Sequence, residues 1–167
     1  MTKLIILRGY PGSGKTTIGN QLEVDGLGKF IDHNAILTFI AGITGDDEGI
    51  YDEIAQLELA MCKKLLAEGN DVIVARGFSS LSSLQSYEAA GRELGIEMQI
   101  LRLDVDKDEI IRRVQSPERK LDFNPTVDEV HALSWMNDNP LQDHPYENVI
   151  DNSAPVDEVV RKIKTVL

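Results

Sequence analysis

Gly9-Tyr10-Pro11-Gly12-Ser13-Gly14-Lys15-Thr16 decides how the rest of the chain is read. It matches the spacing G-x-x-x-x-G-K-[ST], a phosphate-binding loop. Its flanks supply the context that the spacing needs. Leu4-Ile5-Ile6-Leu7 is a short apolar run of the kind found in buried parallel strands. Beyond the loop, Ile18 and Leu22 lie one helical turn apart. Strand, glycine loop and helix in that order form an anion cradle. The glycines let the backbone curl so that successive N–H groups point inward. The helix start adds its positive end. Lys15 is placed to reach the β- and γ-phosphates of a nucleoside triphosphate, and the Thr16 hydroxyl to bind Mg²⁺. Tyr10 and Pro11 are expected only to shape the loop.

The whole chain has 167 residues, 42% of them hydrophobic, which suits a single domain spanning 1–167 with a full core. A net charge of −11 argues against an extensive nucleic-acid surface, which needs clustered basic residues, but allows a local basic pocket. The lone Cys62 reads as a small buried apolar residue. One cysteine makes no internal disulfide, which fits a reducing cytoplasm. No apolar run reaches membrane-spanning length, so no membrane partner is expected.

Strands and helices alternate. Lys29 to Asp32 is a second short strand, and Asn34 to Ile43 a short helix with Asn34 as a possible N-cap. Gly42 to Gly49 reads as a loop. Tyr51 to Glu68 is the longest helix, with Ile54, Leu57, Met61 and Leu65 in one stripe, widened by Leu59, Cys62 and Leu66, and Gly69-Asn70 as its stop. Val72 to Ala75 is a third strand. A helix with Leu84, Tyr87, Gly91 and Leu94 on one face follows, then a fourth strand over Met98 to Leu103. Asp106 to Glu109 can cap a helix that buries Ile110, Ile111 and Val114. Ser116 to Pro125 is a charged loop, and Thr126 to Glu129 a capping box that opens a helix through about Met136. Trp135 on that helix is expected in core packing. Asn148 to Asp151 is the fifth strand, and Pro155 starts a last helix with Val156, Val159, Val160, Ile163 and Val166 inward.

This order predicts an α/β fold, a three-layer, doubly wound, five-stranded parallel sheet. In such sheets ligands lie beyond the carboxyl ends of the strands. That rule selects the phosphate loop, Asp32, Arg76, Asp104 and Asp151-Asn152 as site candidates.

Gly9 to Thr17, Phe30-Ile31-Asp32, Arg76-Gly77 and the arginine-bearing segment Arg112 to Lys120 together resemble a small P-loop kinase. The group includes shikimate and gluconate kinases, chloramphenicol phosphotransferase, zeta toxins and the kinase domain of phage polynucleotide kinase. The resemblance implies the P-loop NTPase fold, ATP and Mg²⁺ as cofactors, an acid after strand two and lid arginines over the phosphates. It assigns Gly12, Ser13, Gly14, Lys15, Thr16 and Thr17 to the nucleotide, and Asn152, after strand five, to the side where similar kinases hold adenine. Thr16 and Asp32 are the metal candidates, Asp32 and Arg76 the acceptor candidates. Lys15, Asp32 and Arg119 would carry catalysis, with Arg119 favoured as the arginine finger inside a lid near 112–125.

The chain departs from the pattern at two places. Several such kinases show D-x-D after strand two, where this chain has Asp32-His33-Asn34; relatives often carry an acid near the end of strand three, where it has Ala75-Arg76. Asp32 must then do the acid work alone, with a helix-capping role as its simpler reading. His33 reads as a surface or loop residue, and Arg112 and Arg113 as a solvated helix end. The implied function is transfer of the γ-phosphate of ATP to a hydroxyl of a small-molecule acceptor. A polynucleotide 5′-hydroxyl kinase, or a nucleotide-binding regulatory module without an acceptor, are the alternatives.

Overall fold

The computed structural model describes residues 2–45, 50–116 and 129–167, with the side chains of Glu129 and His131 left aside. The described elements are β1 (Lys3–Arg8), α1 (Lys15–Val24), β2 (Lys29–Asp32), α2 (His33–Thr44), α3 (Tyr51–Ala67), β3 (Val72–Ala75), α4 (Gln85–Leu94), β4 (Glu97–Asp104), α5 (Lys107–Val114), α6 (Glu129–Asp138), β5 (Glu147–Asp151) and α7 (Val156–Lys164). A short 3₁₀ turn, Leu81–Leu84, leads into α4.

The strands form one sheet in the order β2-β3-β1-β4-β5. Every pairing is parallel, so the expected doubly wound topology holds. The alternation of side chains on β1 divides the core. Ile5 and Leu7 face Ile18 and Leu22 of α1 and Val159, Val160 and Ile163 of α7. Leu4 and Ile6 face the other layer, with Cys62 and Leu66 of α3 and Tyr87 of α4. The central strands are buried on both faces, which is why they read as unbroken apolar runs. A smaller cluster joins Ile110 and Val114 of α5 to Ala132 of α6 beside the phosphate loop.

Several local expectations change. Asp32, not Asn34, is the N-cap of α2: its Oδ1 accepts from the Asn34 N–H at 3.0 Å. Helix α2 continues through Gly42 to Thr44, and Gly45 at φ 72° caps it. On α3 the buried residues are Ile54, Glu58, Cys62 and Leu66, while Leu57 and Met61 are exposed. Leu94, Val156 and Val166, expected inward, are partly exposed, and Ile111 is only half-buried. Asp106 ends the loop before α5 but makes no side-chain cap hydrogen bond. Residues 117–128, and with them Arg119, Lys120 and most of the capping box, lie outside the described residues.

Candidate active site

β1 ends at Arg8 and the chain turns through the glycine loop into α1. Gly14 is the N-cap, with φ 89°, a conformation that side chains rarely adopt. A Cβ there would stand 2.5 Å from Asn152 Nδ2, so glycine is required for space as well. No side chain caps α1 and no acid sits in its first turn. Its N-terminal N–H groups are therefore left for a bound anion. Lys15 lies over the loop, its Nζ donating to the Gly9 and Tyr10 carbonyls, both at 2.9 Å. Ser13 is buried, its carbonyl accepting from Asn152 Nδ2 at 2.6 Å.

The loop opens on a cavity of about 900 Å³. Gly12, Gly14, Lys15, Thr16 and Thr17 line it, and so do Asp32, Arg76 and Asn152. The sheet order explains the convergence: β3 lies beside β1, and β2 beside β3, so their carboxyl ends face one opening. Asp32 accepts from the Asn34 N–H, and the nearby Thr16 hydroxyl favours its ionised form. Burial pushes the Asp32 carboxyl above the usual range, and the Asn34 hydrogen bond, the Thr16 hydroxyl and the Lys15 charge only partly offset it.

Arg76 follows β3, its N–H donating to the Leu7 carbonyl at 3.1 Å. Its guanidinium sits 5.8 Å from the centre of the Phe78 ring. Among the described residues it has no carboxylate partner, and it is half-buried. Arg76 does not pair with Asp32, so the raised Asp32 is not countered from that side.

Asn152 is almost wholly buried beneath the loop. Its amide holds Ser13, its N–H donates to the Asp104 carbonyl at 2.9 Å, and its carbonyl accepts from Arg113 Nη2 at 2.6 Å. Asn152 thus braces the loop, with Arg113 fixed alongside. Arg113 Nη1 lies 3.5 Å from where a Gly14 Cβ would be. Arg113 Nε donates to Glu109 Oε1 at 2.7 Å, and Arg112 grips the same carboxylate through two bonds at 2.7 Å. The two arginines pull Glu109 down to about 2. Arg112 is solvated, as expected; Arg113 is not, and its place at the loop corrects the reading of both as a free helix end.

Three further residues sit where the sequence did not put them. His33 is buried rather than on the surface, and borders the cavity beside Asp32. Trp135 lines the cavity instead of the core, its ring 2.9 Å from a Cβ built on Gly77. Tyr10 does more than shape the loop: its ring meets Trp135 edge-on at 6.0 Å and its hydroxyl accepts from the Leu141 N–H at 3.2 Å. A readable signal existed for one partner in this group. Glu58 interrupts the apolar face of α3 four residues from both Ile54 and Cys62, a position where a charge needs a buried partner.

The family model described as AAA domain matches residues 4–137, most of the chain. The chain belongs to the AAA domain family. Solved structures share its fold at low identity. A provisionally named kinase from Chloroflexus aurantiacus j-10-fl is 16% identical, covers 99% of this chain and 98% of its own, and superposes with TM-score 0.79. A sugar kinase from Janibacter sp. HTCC2649 is 19% identical, with 99% and 94% covered and TM-score 0.70. A gluconokinase from Sinorhizobium meliloti 1021 is 16% identical, with 96% and 88% covered and TM-score 0.65. No curated protein matches the sequence. This AAA domain protein therefore shares the fold of those kinases, the P-loop NTPase fold that the resemblance implied. Among its described residues no helix is long and apolar enough to cross a membrane.

Proposed function

We propose that the protein moves the γ-phosphoryl group of ATP to a hydroxyl of a small acceptor that also carries an anionic group. The observation that carries this reading is the shared cavity. Asp32, beside the phosphate-loop Thr16, and Arg76, without a carboxylate partner among the described residues, line the same space. A half-buried guanidinium is stabilised by an anion, and two charge-assisted bonds to a carboxylate or phosphate suit its fork.

The loop fits a triphosphate. Its glycine backbone, the uncapped start of α1 and Lys15 converge on one side of the cavity. Lys15 would leave the Gly9 and Tyr10 carbonyls for the β- and γ-phosphates. Arg113, and Arg119 from the proposed lid near 112–125, would offset charge on the transferred group. Thr16 and Asp32 fit Mg²⁺ as oxygen donors, and the ion supplies positive charge to the phosphates when bound. Asp32 orients the acceptor hydroxyl and takes its proton as the new oxygen–phosphorus bond forms and ADP departs. Its raised proton affinity favours that role over a purely metal-orienting one. Asn152 would support the nucleotide through the loop it braces.

ATP turnover measured with sugars, nucleosides, antibiotics, hydroxy acids and 5′-hydroxyl oligonucleotides tests the reading. One small anionic acceptor should accelerate ADP release well above the rate with water alone. Equal turnover with and without every acceptor would favour a regulatory nucleotide-binding module, the reading that Asn34 in place of a second acid supports.

A further inference from the structure

Glu58 is a carboxylate with no solvent exposure in the apolar face of α3. A buried charge persists where donors satisfy it. Two do so here. The Tyr87 hydroxyl donates to Oε1, and the His33 ring meets Oε2 through Nδ1 at 2.9 Å. A carboxylate only accepts, so Nδ1 carries the proton. The neutral ring is then the Nδ1–H tautomer, with a lone pair on Nε2.

That lone pair has a direction. Nε2 has no hydrogen-bond partner among the described residues. Yet it is not sealed in the core: the buried side-chain polar atoms left without a partner among them are Arg8 Nε and Arg102 Nε. His33 lines the cavity, so Nε2 opens onto it next to Asp32. The Tyr51 ring stacks on the imidazole at 6.5 Å and 18°, which holds its plane.

We propose that His33 is an acceptor-binding residue whose Nε2 accepts a hydrogen bond from a second hydroxyl of the acceptor, with Glu58 as the positioning residue that fixes the tautomer. The inference rests on the kinase reading and deepens it. Asp32 and His33 are adjacent in the chain, so the two hydroxyls lie on nearby carbons. With Arg76 lining the same cavity, the acceptor class is a polyhydroxylated carboxylate or phosphate. An acceptor with a single hydroxyl leaves Nε2 unpaired and is disfavoured.

Two measurements on the intact protein test this. Long-range ¹H–¹⁵N spectra of ¹⁵N-histidine protein should show His33 protonated on Nδ1 and bare on Nε2, a preference that Glu58→Gln loses. The opposite tautomer overturns the proposal. Phosphoryl transfer is then measured to D-gluconate, D-glycerate and ribose 5-phosphate. For a probe that is phosphorylated, His33→Leu should raise its KM roughly tenfold while moving the KM of ATP less than about twofold. His33→Gln, which keeps a side-chain acceptor, should recover part of the loss. An unchanged probe KM in folded His33→Leu overturns the proposal. Transfer to nucleosides or oligonucleotides alone would leave the kinase reading standing and sink this one; no transfer to anything would sink the kinase reading itself.

Discussion

Asp32 does two jobs with one carboxylate, capping α2 through Asn34 and facing the cavity beside Thr16. The simple reading of Asp32 as a helix cap and the functional one are both compatible with its position, because β2 ends where α2 begins. Its proton affinity is raised mainly by burial. A carboxyl raised in the folded state contributes stability below its unfolded value and loses it as pH rises through the folded value. In metal-free protein at neutral pH, Asp32→Asn should therefore unfold at no lower temperature than the parent, since asparagine also caps. The same variant should lower kcat roughly a hundredfold or more by losing the proton acceptor. Thermal unfolding and steady-state kinetics check the two halves; a stability loss equal to the activity loss would reduce Asp32 to a cap. Lys15→Ala should abolish measurable transfer and weaken ATP binding with the fold intact by circular dichroism, and unchanged ATP affinity would remove the phosphate loop from the account. The loop and Asp32 were legible because their chemistry is local to a few adjacent letters. His33 was not, because what defines it is Glu58, 25 residues away in sequence.

At the scale of elements, the end of α5 is the most informative. Arg112 and Arg113 are adjacent letters of one type, yet one is solvated and the other rests on the loop after β5. Helical phase separates them: only Arg113 points at the layer where Asn152 lies. Glu109 serves both, and hydrogen bonds from Arg112 and Arg113 pull it down to about 2. A depressed carboxylate contributes stability above its unfolded value and loses it as pH falls towards the folded one. The clamp on Arg113 should thus contribute fully from neutral pH down to about 4 and be lost progressively as pH falls from there to about 2. Arg113→Ala should cut kcat/KM for ATP roughly tenfold or more, while Arg112→Ala changes it less than about threefold, since an exposed pair contributes little. Kinetics with both variants decides; equal effects would mean that Arg113 is a surface charge after all. The phase of α3 was misread for a related reason. Counting apolar letters favoured Leu57 and Met61, but the buried face includes a carboxylate, and only its partners on α2 and α4 make that face habitable.

Across the molecule, a charge network ties the phosphate loop to the far edge of the sheet. Arg8, the last residue of β1, is fully buried, its Nη1 donating to Glu147 Oε2 at 2.8 Å and its Nη2 to the Gln142 carbonyl at 2.9 Å. Arg102 of β4 donates to Glu147 Oε1 at 2.8 Å. Gln142 reaches the other side of the site, its N–H donating to the Ser79 carbonyl and its Oε1 accepting from the Leu81 N–H, both at 2.9 Å. The five-stranded, doubly wound parallel sheet was legible from the alternating elements. This network was not, since its members look like ordinary charges until β1, β4 and β5 are side by side. Glu147 is the hub, and removing it leaves Arg8 buried and uncompensated. Breaking one side of a buried pair costs about 3–5 kcal/mol, while replacing both sides with apolar residues of similar size is often neutral. Glu147→Ala should therefore lower the unfolding midpoint by roughly 10 °C for a chain of this size. Arg8→Met in the Glu147→Leu background should restore much of that loss. Because Arg8 precedes Gly9, the single variant should also weaken ATP binding, and the double variant should regain it only in part, since the link to Gln142 is gone. Denaturation and ATP titration on the same samples separate the two effects. A single variant as stable as the parent would show that water reaches Arg8, and the network would then be ornamental to both fold and loop.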